Sequence, residues 1–364
     1  MNRLRMAVIG VGHLGKEHAR ILAGMNEVEL VGVTDVSAEQ ASLIAERCGT
    51  KGYTDYRPLL DQVDAVTVVV PTIHHHVVAS EFLKHGVPVL VEKPIATTVA
   101  QAEDLIRLAR ANKVALQVGH IERFNPAFET LNERPIQAKY IESERHGPYT
   151  GRSTDIGVVL DLMIHDLDLL LALTGSSVAH VEALGMSVFG GHEDVVNARL
   201  TFANGCVAQV TASRVTQQPK RRLRVWAPEG YAGIDFVTKR LRLVQPSENL
   251  RQGGLRIADL DPARKAALKD EVFGTHLHTR EFECPQRGDQ LTNELRDFIQ
   301  CVKTKRRPRV TGEDGRNALA LAERIVSCVM AHRWNGPKDG TAMGIHGMPS
   351  PSGLLFSDER AEAA

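Results

Sequence analysis

Gly10-Val11-Gly12-His13-Leu14-Gly15 follows an apolar run, Met6–Ile9, and precedes a helical pattern over Lys16–Ala23. This is G-x-G-x-x-G between a strand and a helix, the arrangement that holds a dinucleotide. Gly10 permits the tight turn, Gly12 lets the backbone approach a diphosphate, and Gly15 lets helix and strand pack closely. The diphosphate would rest on the free amides of the helix N-terminus, where the helix dipole favours negative charge. A second strand, Glu29–Val33, leads to Asp35, about twenty residues past the last glycine, where a ribose-binding acid belongs. A carboxylate there accepts hydrogen bonds from ribose hydroxyls and repels a 2′-phosphate, and Val36-Ser37-Ala38 offers no arginine to offset that repulsion. The expected cofactor is NAD.

Two further segments bear reactive side chains. Lys93, in Glu92-Lys93-Pro94-Ile95, stands at the C-terminal end of an apolar strand, where open parallel sheets place their ligands. Beside a positively charged nicotinamide ring its pKa should fall, and it could stabilise an alkoxide or share a proton. A surface lysine before a proline turn is the plain alternative. The second segment is Asp161-Leu-Met-Ile-His165-Asp166-Leu-Asp168. On a regular helix residues 161, 165 and 168 share a face, so Asp161 could fix the tautomer of His165 and raise its basicity. The same spacing also suits a metal, but acid–base chemistry fits better and no metal site is expected. Nor can the consecutive His74, His75 and His76 converge on one ion. Arg123 and Asn125 follow the last parallel strand and are candidates for substrate contact, with a helix cap an equal account of Asn125. Lys220-Arg221-Arg222-Leu223-Arg224 could meet a diphosphate or simply guard a strand edge.

These groups need a frame. Strands at 6–9, 29–33, 65–70, 87–91 and 115–118 alternate with helices at 16–23, 38–48, 75–85 and 99–111, a pattern of a doubly wound parallel sheet. Beyond Arg123 the texture changes to strands at 136–145, 179–189, 194–202, 206–214, 222–227 and 232–236, with helices at 158–174, 290–303 and 312–332. Asn204-Gly205 supplies a hairpin turn. Residues 246–290 resist assignment, and 335–364 are expected to form a flexible or loosely docked tail. Lys plus Arg equals Asp plus Glu at 44 each, which leaves no global field for nucleic acid or an anionic membrane. No apolar run is long enough to span a bilayer, and the chain opens directly on a strand. The five cysteines lack C-x-x-C spacing and read as reduced thiols. The expectation is a cytoplasmic protein that binds neither nucleic acid nor membrane.

Taken in order, GVGHLG, Pro71-Thr72-Ile73-His74-His75, Glu92-Lys93-Pro94, Asp161-x-x-x-His165, Glu193–Asn197, Phe202-x-Asn204-Gly205, Ser213-Arg214 and Arg307–Gly315 resemble the Gfo/Idh/MocA family of NAD(P)-dependent oxidoreductases, over about residues 5–332. The resemblance implies an α/β protein, with a Rossmann domain over 1–122 and a substrate-binding and oligomerisation domain over 123–334. The second domain would carry a large, open, mostly antiparallel sheet, often buried between subunits, so a homodimer or homotetramer is expected. It implies oxidation of a sugar or inositol hydroxyl to a ketone, or the reverse, with Lys93, Asp161 and His165 in the catalytic positions. Cofactor contacts would come from Gly10, Gly12, His13, Leu14, Gly15, Asp35, Pro71, Thr72, His75, Glu92 and Lys93, and substrate contacts from Arg123, Asn125 and His165. The Lys93–Pro94 bond is commonly cis in this family. Within the family, GHIERFNPAF and RSTDIGVVLDLMIHDLD are similar to the group that oxidises the 3-hydroxyl of UDP-N-acetylglucosamine ahead of an aminotransferase. A simple sugar or inositol is the alternative substrate, and an NAD-dependent sensor without turnover is the alternative class. Two departures stand out: His74 beside His75, and Met163 where many relatives carry glycine.

Overall fold

Ala65–Val68, Val89–Glu92 and Leu116–Gly119 are buried at every position, as strands covered on both faces must be. They belong to a six-stranded parallel sheet built from β1 (Leu4–Ile9), β2 (Val28–Thr34), β3 (Lys51–Tyr53), β4 (Ala65–Val68), β5 (Val89–Glu92) and β6 (Leu116–Gly119), ordered β3-β2-β1-β4-β5-β6. The helices α1 (Gly15–Ala23), α2 (Ala38–Cys48), α3 (Thr72–Lys84) and α4 (Val99–Asn112) connect them. The order reverses between β1 and β4, so the crevice opens beside the glycine loop that ends β1. This is a computed structural model, and it describes residues 3–149, 151, 156–189, 191–284, 289–334 and 344–346. Sequence periodicity does not register β3, a three-residue edge strand with no buried position.

The second layer starts with α5 (Pro126–Asn132), β7 (Tyr140–His146) and α6 (Ile164–Thr174). It continues through β8 (Val178–Met186), β9 (Val195–Phe202), β10 (Val207–Ser213), β11 (Lys220–Ala227), β12 (Gly230–Asp235) and β13 (Arg240–Pro246). After α7 (Glu248–Arg251) and α8 (Pro262–Glu271) come β14 (Leu277–Glu283), α9 (Gln290–Thr304) and α10 (Gly312–Ala331). The eight strands run β14-β13-β12-β11-β7-β10-β9-β8, all antiparallel except β7 beside β10. Burial alternates along β7 and β9, so one face packs on helices and the other stays open. The chain is therefore α/β, a Rossmann sheet joined to a large, mostly antiparallel one.

Three differences from the sequence reading have physical causes. The segment 158–174 is not one regular helix, because residues Val159–Met163 form a π turn before α6 begins. The region 246–290 contributes α7, α8 and β14, the last a charged edge strand without an apolar face to reveal it. The division at 122/123 is crossed by α9. Its stripe of Leu291, Leu295, Phe298 and Ile299 packs with Met6, Val8 and Leu22 in the core of the first sheet. The expected tail lies outside the described residues except Gly344–His346, where Ile345 is buried and its carbonyl accepts from the Ser187 amide at 3.1 Å. Among the described residues no helix is long and apolar enough to cross a membrane.

Candidate active site

The glycine loop fits a dinucleotide. Gly10 adopts φ 91°, and a Cβ there would lie 2.7 Å from the Val69 carbonyl oxygen. A Cβ at Gly15 would collide with the carbonyl oxygen of Gly10, so α1 approaches β1 only because both are glycine. Gly12, His13 and Leu14 are exposed, and Leu14 caps α1 without any side-chain hydrogen bond, leaving the helix end open to an anion. Asp35, just past β2, accepts from the Val11 amide (3.1 Å) and the Ser37 amide (3.1 Å). That fixes a carboxylate one step from the loop, where adenosine ribose hydroxyls would meet it. Pro71 and Thr72 begin α3 on the same side, beyond β4.

Lys93 follows β5 directly, and its bond to Pro94 is cis. The Lys93 Nζ donates to the backbone carbonyl of Asp161 at 2.7 Å and lies 3.6 Å from Asp161 Oδ1. Burial pushes the lysine below its ordinary value, while Asp161 and Glu92 act against that shift. The depression thus arises from the protein itself, and the nicotinamide charge is not required for it. Asp161 serves Lys93 and not His165, which corrects the expected carboxylate–imidazole pair. His165 Nδ1 is buried without a hydrogen-bond partner among the described residues. The expected pairing assumed a regular α-helix, whereas Val159–Met163 form a π turn here. Burial holds His165 well below the ordinary imidazole value, and the charges of Lys93, Arg145 and Arg221 push the same way. Its basicity is lowered where the sequence suggested a rise.

The other expected contacts divide. His75 is buried, with Nδ1 2.8 Å from the Pro94 carbonyl and Nε2 2.8 Å from the Val70 carbonyl. It ties α3 to the Lys93–Pro94 turn, so its ring acts as a brace. His74, in contrast, is exposed. The Glu92 carboxylate turns inward, 3.2 Å from His18 Nε2, and accepts from the Lys93 amide at 3.2 Å. Arg123 is bound by Asp168 through two contacts of 2.6 and 2.9 Å. Asn125 is fully buried and caps α5 by accepting from the Ala127 amide. The fold engages both, Arg123 as the partner of Asp168 and Asn125 as the cap of α5, the second account the sequence allowed for Asn125. Asp168 cannot join a site face, since it is buried under Arg123. Among the described residues no three His, Cys, Asp or Glu side chains converge to hold a metal.

Several buried groups went unread in the sequence. Arg145 on β7 donates to Asp166 (2.8 and 3.1 Å) and Glu122 (2.8 Å), placing a buried triad beside His165. Its signal is a charge at an inward position of an alternating strand. The His120 ring meets the His165 ring edge-on, with centroids 6.4 Å apart. Glu294 on α9 is fully buried, and neither carboxylate oxygen has a partner among the described residues. A glutamate inside the stripe 291–295–298 could have announced it. Burial drives Glu294 well above the ordinary carboxyl value, with Glu92, Asp297 and Asp168 adding to the shift. Its folded pKa exceeds the unfolded one, so its contribution to stability is complete below the unfolded pKa and lost as pH rises through the folded one. Glu294→Gln should therefore melt above the parent at alkaline pH, with the gap closing toward acid. A gap that stays constant across a pH series of melting curves would reject this origin.

Comparison with known proteins bears on the same residues. A family model described as "Oxidoreductase family, NAD-binding Rossmann fold" matches residues 4–120, and one described as "GFO/IDH/MocA C-terminal domain" matches 128–232. The chain is 35% identical to UDP-N-acetylglucosamine 3-dehydrogenase of Acidithiobacillus ferrooxidans, over 91% of this chain and 99% of that protein. A solved structure of the Acidithiobacillus enzyme superposes with a TM-score of 0.80 at 34% identity, covering 90% of this chain and 98% of that one. Inositol 2-dehydrogenase of Rhizobium meliloti is 26% identical, over 91% of this chain and 98% of that protein.

Proposed function

The chain belongs to the Gfo/Idh/MocA family of NAD-dependent oxidoreductases acting on CH–OH groups, and from that membership we propose that it oxidises the 3-hydroxyl of UDP-N-acetylglucosamine to a ketone. The observation that carries the substrate is the 35% identity to a UDP-N-acetylglucosamine 3-dehydrogenase across almost the whole of both chains. The reactive groups are Lys93, Asp161 and His165. The Gly10–Gly15 loop and Asp35 would hold NAD, which would supply the hydride acceptor for the sugar carbon.

The chain's own residues handle the proton and the charge. His165, kept neutral by burial and by nearby cations, takes the hydroxyl proton. Lys93 faces the oxygen as negative charge develops on it, and Asp161 fixes the lysine through its carbonyl and its carboxylate. Asp161 is in this reading a positioning residue for Lys93. A 3-ketone made this way is a substrate for amine transfer, so an aminotransferase is the proposed next enzyme.

The test is NADH formation from NAD and UDP-N-acetylglucosamine, with a ketone trap present because the oxidation is uphill near neutral pH. A rise with this sugar and none with myo-inositol is expected. The opposite pattern would move the substrate to the inositols, and NAD binding without turnover across both classes would favour a sensor. The pH profile of kcat/KM in the same assay should have both limbs displaced downward. Neutral His165 is lost only well below 6.5, so the acid limb lies there. Charged Lys93 is lost below 10.5, so the alkaline limb begins earlier than a free lysine would allow. An acid limb at or above 6.5 would remove His165 as the base.

A further inference from the structure

Five strands of the second sheet meet at one edge. His146 pairs with Ser213 and Lys220, Ser213 with Val195, and Val195 with Met186, so β7, β8 and β10 end and β9 and β11 begin together. The turn that carries Asp161 and leads to His165 starts at this edge, with the Val158 amide donating to the Glu193 carbonyl at 2.9 Å. The edge therefore borders the reacting groups.

Beyond the effect of the Arg221 charge on His165, two features there have no role in the chemistry described above. The first is Arg221. In Lys220-Arg221-Arg222-Leu223-Arg224, Lys220 pairs with Glu144, Arg222 with Asp235 and Arg224 with Glu142, all on one face of β11. Arg221 alternates to the other face, that of the buried Leu223 and Val225, and is itself exposed. Its cross-strand neighbour is Arg145, which already holds both nearby carboxylates, Asp166 and Glu122. Among the described residues the Arg221 side chain has no ion pair, and its charge reaches His165. An unpaired guanidinium facing a reaction site is suited to a phosphate, which its planar fork binds well.

The second feature is an exposed aromatic pair. Tyr149 lies three residues past β7 and Phe189 three past β8, with ring centroids 4.6 Å apart and exposures of 44% and 57%. The pair is built and braced. Asp194 Oδ2 accepts from the Val188 amide (2.6 Å) and the Phe189 amide (2.8 Å), while its Oδ1 holds Arg214 at 2.6 Å. The Arg214 guanidinium in turn lies over the Tyr149 ring, 5.8 Å from its centroid. A rigid, exposed aromatic surface is a stacking platform for a flat base. Strand spacing and rise put Tyr149 and Arg221 within about 15 Å of each other, a span that a nucleoside diphosphate can bridge.

We propose that Arg221 and the Tyr149–Phe189 pair form the subsite for the nucleoside diphosphate arm of the substrate, the pair stacking on the base and Arg221 holding the diphosphate. The inference rests on the nucleotide-sugar reading above and adds the residues that would make the enzyme select such a sugar over a neutral one.

Calorimetry on the full chain saturated with NADH, so that the dinucleotide site is filled, tests it with UDP as the probe. Arg221→Gln should weaken UDP at least roughly tenfold, the range of one charge-assisted hydrogen bond, while NADH affinity is unchanged. Uridine, which lacks phosphates, should be insensitive to Arg221→Gln and should lose binding in Tyr149→Ser/Phe189→Ser. UDP bound equally by parent and Arg221→Gln would overturn the subsite and leave the proposed function standing. A parent that binds no UDP would overturn the nucleotide-sugar reading itself, and the subsite with it.

Discussion

Lys93→Met should lower turnover by roughly two to four orders of magnitude and leave NADH affinity essentially unchanged. The size follows from what the ammonium does. It is largely buried at the end of β5, so its charge acts on a developing alkoxide in a medium that screens poorly. Methionine keeps the length and volume of the stem and removes only the charge and the donor. Binding should survive because the dinucleotide is held elsewhere, by the Gly10–Gly15 loop and Asp35. Asp161 loses its partner in the variant, but its side chain is about a quarter exposed and can take water. Stopped-flow oxidation and fluorescence titration of NADH separate the two quantities. Turnover within a few-fold of the parent would remove Lys93 from the reaction, and a parallel loss of NADH binding would make it a cofactor residue instead.

How much of this site was legible in the sequence depends on how local each signal is. The glycine loop reads at once, because a turn, a close approach and a helix start are all set within six residues. Lys93 reads nearly as well, since a buried strand end fixes its position relative to the crevice. The pairing of Lys93 with Asp161 does not read, because the two are 68 residues apart and no spacing rule joins them. The expected Asp161–His165 pair assumed a regular helix, and sequence patterns do not show the π turn over Val159–Met163. Similarly, the amphipathic stripe of α9 is visible in the chain, but not that its partner is the first sheet. Arg123 and Asn125 look like crevice residues by position, and their partners in the fold, Asp168 and the Ala127 amide, do not read because packing and capping set them.

Arg145→Met should be the most destabilising single change near the site, costing about 3–5 kcal/mol and lowering the melting temperature by roughly 10 °C. Arg145 is 2% exposed and joins Asp166 on α6 to Glu122 in the turn after β6. Glu122 also accepts from the Asn125 and Gln290 side-chain amides, so the triad links both sheets and α9. Burial works against the guanidinium charge, yet Asp166 and Glu122 together raise its pKa, so the pairing outweighs the desolvation. Removing the arginine leaves two buried carboxylates facing a thioether, and the cost is mostly theirs. That assignment separates it from a simple cavity effect. Neutralising the partners in the same chain, Arg145→Met with Asp166→Asn and Glu122→Gln, should recover most of the lost stability, since a buried triad replaced as a whole is often near neutral. If the triple variant melts no higher than the single one, packing over Phe236 and not charge compensation is what Arg145 supplies.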